Sequence, residues 1–448
     1  MDFDWTGVVD YSKRNPLEAP KAQYELPGVT EEDHQGVPVA VLPLWHGVVT
    51  ARMAFAPDDR ATLKSAQQRL ASALDEIERI YPLSPTGIFI QVSYGLPYFR
   101  DRIPTTLADE YLPKSTMAGS EGEWALIDSI RYPKDPEDLI QEQHEVCFHF
   151  KSDFQDHIEN VIGALFRPGE QMLNGLPAEH AYVGDLLTLT SVRNGFAGHG
   201  LPRIIGQRMG IPGAEHVPAG SMLFMGFTSS HVDGLAGGNL PSFETLPGYT
   251  DVTVDDYFAG GPHMHLSHIG IDLAQWYELN HTDRLHRVFD PRRTDGPDVL
   301  SPDQLPSTVA FEEQRDQDAT EHGMMGHNEQ MQFLSRLKQD TTTAYGDTIP
   351  KGTVFFLRQD FNTVENPFGF STTSPINAVS RAGVHFIGFG PSAQYYELRL
   401  EMDGVRPPTA AQHARREHGI HQVPLDHPPA KPHAAAAGTP LVPPGRPR

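Results

Sequence analysis

The sequence predicts an α+β protein of two successive units, each an antiparallel sheet covered by helices, and three observations predict it. Between Gly36 and Ala197 the apolar pattern runs strand, helix, strand, then strand, helix, strand, the β-α-β-β-α-β order of a ferredoxin-like unit. From Gly261 to Met402 a strand-led order of elements returns without residue-level repetition. Between the two lies a stretch, Leu201 to Thr250, dense in glycine and proline yet carrying Phe224, Phe227 and several methionines. It is too apolar for a plain linker and suits the wall of a cavity.

The elements follow in order. Residues 1–35 are polar and proline-punctuated and read as an arm laid over the surface. Gly36 to Ala56 is rich in Val, Leu and Ala and holds one or two strands. In ATLKSAQQRLASALDEIERIY the positions Leu63, Leu70, Leu74, Ile77 and Ile80 recur on one face of a 3.6-residue period, and Pro82 closes the helix. GIFIQVSYGLPYF alternates, with Ile88, Ile90, Val92 and Tyr94 on one face. Residues 100–140 are loop-rich. EVCFHFKSD is a further strand whose Ser152 or Asp153 is placed to cap the helix FQDHIENVIGALF, and LLTLTSVRNGFA completes the first unit. In the second, GPHMHLSHIGIDLAQWYEL is a strand entering a helix. TVFFLRQDF and GVHFIGFG are strands, and SAQYYELRLEM closes the unit. The divisions are 1–35 arm, 36–200 first unit, 201–404 glycine-rich segment plus second unit, and 405–448 tail. The tail is dominated by Pro, Ala and His without apolar periodicity. It cannot bury enough surface to offset its ordering entropy and is expected to be disordered.

Composition narrows the function. With 35 basic against 58 acidic residues the net charge is −23, which repels phosphate backbones and argues against nucleic acid as a partner. The single cysteine, Cys147, excludes an intramolecular disulfide and reads as a small buried hydrophobe. No signal-peptide pattern opens the chain, and no run approaches ~18 apolar residues, so no membrane span is expected. The default expectation is a soluble cytoplasmic protein.

The chemistry concentrates between Gly323 and Asp360. GMMGHNEQMQFLSRLK places His327 behind a glycine at the head of a helix-like run, and TVFFLRQDF ends a β-type segment on Arg358 with Asp360 two residues on. A histidine and an arginine offered to one pocket suit a haem iron, ligated on one face and served by acid–base chemistry on the other. Against this stands a helix-end histidine in a chain of 22 histidines, with His322 as the next candidate ligand. Arg358 could equally pair with Asp360 on the same strand face. His263, His265 and His268 look like metal ligands, but on a strand His263 and His265 share one face while His268 takes the other. The Trp276–Tyr277 pair reads first as core.

Taken together, these pieces resemble the dye-decolourising peroxidase family, over roughly Gly36 to Gly404. The resemblance is carried by GIFIQVSYGLPYF, EVCFHFKSDFQDHIENVI, RNGFA, HLSHIGIDLAQWYEL, FFLRQDF and GVHFIGFG, in that order and spacing. It implies two ferredoxin-like units of the dimeric α+β barrel type and haem b held mainly by the second. It also implies His327 as the axial iron ligand and Arg358 over the open haem face, with Phe227, His265 and Phe356 in the cofactor pocket. Its activity would be peroxidase-like oxidation of a small organic substrate by peroxide or dioxygen, with homo-oligomers left open. The departure lies in MGFTSS, where Ser229 takes the place of the family's aspartate and Asp233 follows four residues on. A serine cannot accept a proton from peroxide as a carboxylate can. Two other readings stand beside this one: a non-haem metal enzyme using His263, His265 and His268, and a non-catalytic haem carrier or sensor.

Overall fold

The structure is a computed structural model describing residues 30–34, 37–41, 43–117, 120–129, 139–227, 246–254, 256–259, 261–293, 308–327, 335–344, 346, 348–353, 355–364, 381–392 and 435–437. In the first unit, strand β1 (Trp45–Met53) leads to helix α1 (Arg60–Ile80) and strand β2 (Phe89–Tyr94). Strand β3 (Val146–Ser152), helix α2 (Gln155–Phe166) and strand β4 (Leu187–Phe196) follow. All pairings are antiparallel in the order β2-β3-β1-β4, the ferredoxin-like arrangement that the element order predicts. Asp59 starts α1 by accepting the Thr62 N–H at 3.0 Å, and the helix ends ahead of Pro82. The expected cap of α2 does not form. Ser152 Oγ accepts the Phe154 N–H in the preceding turn, Asp153 accepts the N–H of Leu44 just ahead of β1, and the residue before α2 is Phe154.

Strand alternation sorts these residues onto two faces. Val49, Ala51, Ile88, Ile90, Val92, Tyr94, Phe148 and Phe150 meet Ala73 and Ile77 of α1 and Ile158, Val161, Ile162 and Leu165 of α2 in one apolar core. His46, Val48, Thr50, Ser93, Cys147, His149, Lys151 and Arg193 take the other face.

The second unit contributes strand β5 (His263–Gly270), helices α3 (Leu273–Glu278) and α4 (His281–Val288), and strands β6 (Leu357–Arg358), β7 (Phe361–Thr363) and β8 (Gly383–Gly390). Its order β7-β8-β5 continues the first sheet through a contact between β4 and β7, giving one ten-stranded sheet in which β6 also pairs with β8. Beside β5 lie Ala435–Ala437 and then the short strand Ile140–Glu142. The rest of the tail, and SAQYYELRLEM beyond Ser392, lie outside the described residues. Two expectations of irregular structure are corrected: Thr105–Tyr111 and Leu201–Arg208 are helices inside the loop-rich and glycine-rich stretches.

The sheet curls until its far ends meet. Ser93 of β2 reaches the Met264 sulfur of β5 at 3.7 Å, and Arg193 of β4 pairs with Glu142 of the last strand. Val48, Cys147, Met264, Leu266, Leu357, Phe361, Ile387 and Phe389 from both units therefore share one enclosed interior, and the architecture is an α+β barrel. The two units join at Gly195, where a Cβ would collide with the Asn362 carbonyl and the Phe361 ring. Gly195→Ala is expected to destabilise by about 1–3 kcal/mol through overpacking, seen as a lower denaturant midpoint with an unchanged slope.

Thr353 to Phe361, expected as a single strand, is interrupted. The Ile387 N–H donates to the Asp360 carboxylate at 3.1 Å, while the Gln359 N–H still donates to the Ile387 carbonyl at 2.9 Å, so one bond of that pair is replaced between β6 and β7 with the register unchanged. A side chain has taken a place that backbone pairing normally fills.

Candidate functional site

The outward face of β6–β8 holds several of the residues singled out in the sequence. Leu357 and Phe361 point into the barrel, so by alternation Phe356, Arg358 and Asp360 point out. The Phe356 ring lies against the backbone of Gly388, where any Cβ would strike it. It stacks on Phe386 at 6.3 Å, and Phe386 in turn meets the His265 ring at 6.0 Å. His265 and Phe356 are thus brought together through one aromatic neighbour.

His327 lies near enough to Arg358 for that cation to act on its imidazole. Gly326 before it is pressed against the Phe289 carbonyl so closely that a side chain there would collide. Phe227 also packs on Phe289, edge-on at 5.4 Å, in a cluster with Trp276 and Leu285. The glycine-rich segment and the residues just ahead of His327 therefore share one support. Trp276 is fully buried and its indole N–H donates to the Met225 carbonyl at 2.8 Å; the Tyr277 hydroxyl donates to the Phe224 carbonyl, so this pair anchors the segment. The helix-like run beyond His327, together with Ser229 and Asp233, lies outside the described residues.

Electrostatics link the pair. Burial, with the nearby Arg358 cation, lowers the His327 pKa to about 4, so its imidazole is neutral at physiological pH, the form that ligates metal. Burial raises Asp360 to about 6, against the opposing pull of Arg358 and of the Ile387 N–H. His322 is exposed, with Nε2 4.0 Å from Asp318. The three-histidine metal reading is corrected by the faces of β5. His268 points into the barrel with its ring 4.5 Å from His385, while His265 faces outward, and among the described residues no group of three His, Cys, Asp or Glu is arranged to hold a metal.

Sequence reasoning missed the polar barrel interior. His46 Nε2 must donate to the Pro43 carbonyl at 3.0 Å, which leaves its Nδ1 to accept from His149 Nε2 at 3.1 Å. The Phe361 ring stacks on His46 at 4.6 Å and meets His385 at 4.9 Å. Lys151 donates to Gln359, and burial lowers its pKa to about 7. Burial lowers His46 and His144 to about 3 and holds His149 and His385 well below the usual imidazole range. It also pushes the Cys147 thiol up to about 12, in keeping with an inert buried residue. The signal was present in VCFHFKS, whose alternate residues Cys147, His149 and Lys151 share the face away from the helices.

Comparison with known proteins places the chain. Its structure is similar to DyPB from Rhodococcus jostii RHA1 at 15% identity, covering 90% of this chain and 94% of that one with a TM-score of 0.46. It is also similar to a DyP-type peroxidase from Cellulomonas bogoriensis at 16% identity, 94% and 96% coverage and a TM-score of 0.49. The encapsulated DyP-type peroxidase from Mycobacterium smegmatis aligns at 15% identity, 90% and 93% coverage and a TM-score of 0.44. Likeness at this level carries no chemistry across, and the fold assignment rests on the chain's own strand order. No curated protein matches the sequence. Residues 46–423 match a family of unknown function, DUF7405, and the chain belongs to that family.

Proposed function

We propose that the protein is a haem-dependent, peroxidase-like oxidoreductase that acts on a small organic substrate with peroxide or dioxygen. The observation that carries this reading is the pairing of a neutral, enclosed imidazole with an arginine close enough to act on its charge, His327 with Arg358. The donor set suits haem b. His327 would ligate the iron, while Phe227, His265 and Phe356 supply apolar and edge contacts. Haem bound there would supply the redox chemistry of peroxide or dioxygen activation. Arg358 would hold an anionic oxygen ligand and stabilise charge as it develops. Burial keeps the His327 ring deprotonated, so no proton competes with the metal above about pH 5.

Haem added to the purified full chain is expected to give a Soret band with one-to-one stoichiometry. His327→Ala is expected to weaken haem binding at least tenfold and to change the ligation signature in the visible and magnetic resonance spectra. A chain that gives no Soret band, or a His327→Ala variant with an unaltered signature, would refute the reading. Arg358→Leu should retain haem and lose about 100-fold or more in peroxide reactivity at constant peroxide concentration.

A further inference from the structure

We propose that Asp360 is the proton acceptor of this site, taking the proton of a hydroperoxide or other weakly acidic oxygen or nitrogen ligand while Arg358 holds the anion that remains. The proposal rests on the haem reading above. In the step, the ligand's O–H or N–H bond breaks, its electron pair stays on the ligand, and the proton passes to the carboxylate oxygen that does not receive the Ile387 N–H.

Geometry selects this carboxylate. Asp360 lies two residues from Arg358 on the same strand face, and that cation acts on it electrostatically. One of its oxygens is fixed by the Ile387 N–H at 3.1 Å, and this is the only hydrogen bond it makes among the described residues. The side chain is thus oriented with one oxygen still uncommitted there. It is half-buried, neither a solvated surface acid nor a sealed one. The carboxylate takes the N–H that the Gln359 carbonyl would take in a regular pair, while the Gln359 N–H still donates to the Ile387 carbonyl at 2.9 Å.

The surroundings set its proton affinity. Arg358 is the charged neighbour on its own strand. Strand β8 offers the Ile387 N–H and the apolar Phe386 ring, β5 places His263 and His265 on the same face, and His327, within electrostatic reach of Arg358, is neutral at physiological pH. An acid raised to about 6 is ionised at pH 7 and still basic enough to accept a proton usefully, which an ordinary exposed aspartate is not. This assignment also answers the substitution at Ser229, because it locates a carboxylate on the Arg358 strand itself.

Asp360→Asn tests the proposal. The amide retains an oxygen for the Ile387 N–H, so a structural role survives and only the proton acceptor is lost. In full-length, haem-free protein carrying 13C-carboxyl aspartate, one resonance is expected to titrate near pH 6 and to be missing from Asp360→Asn. In haem-loaded protein, cyanide, which binds as an anion after losing its proton, is expected to associate about 100-fold more slowly with Asp360→Asn at pH 7. The inflection near pH 6 in its rate should vanish. Imidazole, which needs no proton removed, should bind both proteins alike. A variant that keeps the wild-type cyanide rate and pH profile on a normal Soret background overturns this proposal alone. So does the lack of a titration near pH 6, or an equal slowing of imidazole. Failure of the wild-type chain to form a Soret band overturns the haem reading and this proposal with it.

Discussion

Acidification is expected to unfold the protein abruptly, with a midpoint between about pH 5.5 and pH 4. Four buried histidines drive it. His46, His144, His149 and His385 are neutral in the folded barrel and resist protonation, His46 and His144 down to about pH 3. Unfolded, each takes up a proton near pH 6.5. Between these values the unfolded chain binds more protons, so stability is intact above pH 6.5 and falls as the pH drops, by roughly 1.4 kcal/mol per unit for each histidine. Four acting together remove about 5–6 kcal/mol per unit, against a typical total of about 5–15 kcal/mol. Circular dichroism and tryptophan fluorescence across a pH series would locate the midpoint. A protein still folded at pH 3.5 would show that these rings are not neutral inside the barrel. His385→Phe sharpens the test. Among the described residues both ring nitrogens of His385 lack hydrogen-bond partners, and its ring already touches Phe361 and His268. The substitution should raise stability at pH 7 by about 1–3 kcal/mol and shift the acid midpoint downward.

Glu142→Ala is expected to cost about 3–5 kcal/mol, the usual consequence of removing one partner of a buried ion pair. Arg193 is fully buried, and Glu142, the partner that its guanidinium holds, is buried as well. Two other guanidinium nitrogens of Arg193 make no hydrogen bond among the described residues. Without Glu142 the guanidinium is left as an uncompensated cation in the barrel, beside imidazoles it already disfavours for protonation. The double variant Arg193→Met with Glu142→Met removes both charges and should recover most of the loss. Chemical denaturation of the single and double variants decides the point. If the double variant is as unstable as Glu142→Ala, the pair is needed for its shape and not for its charge balance.

The first unit was legible in the sequence because its signals are local. A single apolar stripe from Leu63 to Ile80 specifies a helix, and alternation from Ile88 to Tyr94 specifies a strand; both faces pack as expected. The order of those elements then admits few antiparallel topologies. What escaped is what depends on closure. Nothing within VCFHFKS announces that His149 and Lys151 will be sealed against Phe361 and Gln359, more than two hundred residues away. That follows only once Ser93 and Met264 meet across the curled sheet. The break at Gln359 and Asp360 escaped for a related reason, since it depends on which N–H of β8 the Asp360 carboxylate finds. That His327 and Arg358 serve one cofactor is the proposal made above; the structure itself holds an Arg358 cation near enough to lower the His327 pKa. Ser229 and Asp233 lie outside the described residues, so the altered acid position stays a reading of the sequence.

That same break joins two compartments that would otherwise be independent. Gln359 faces inward and holds the buried ammonium of Lys151, while Asp360, the next residue, faces the proposed redox pocket. A change in barrel filling that shifts the backbone at Gln359 therefore also shifts the attachment point of the carboxylate beside Arg358. Directed variation of the barrel lining, far from any substrate, is therefore a route to retuning the acidity of the pocket, and selection on either compartment constrains the other.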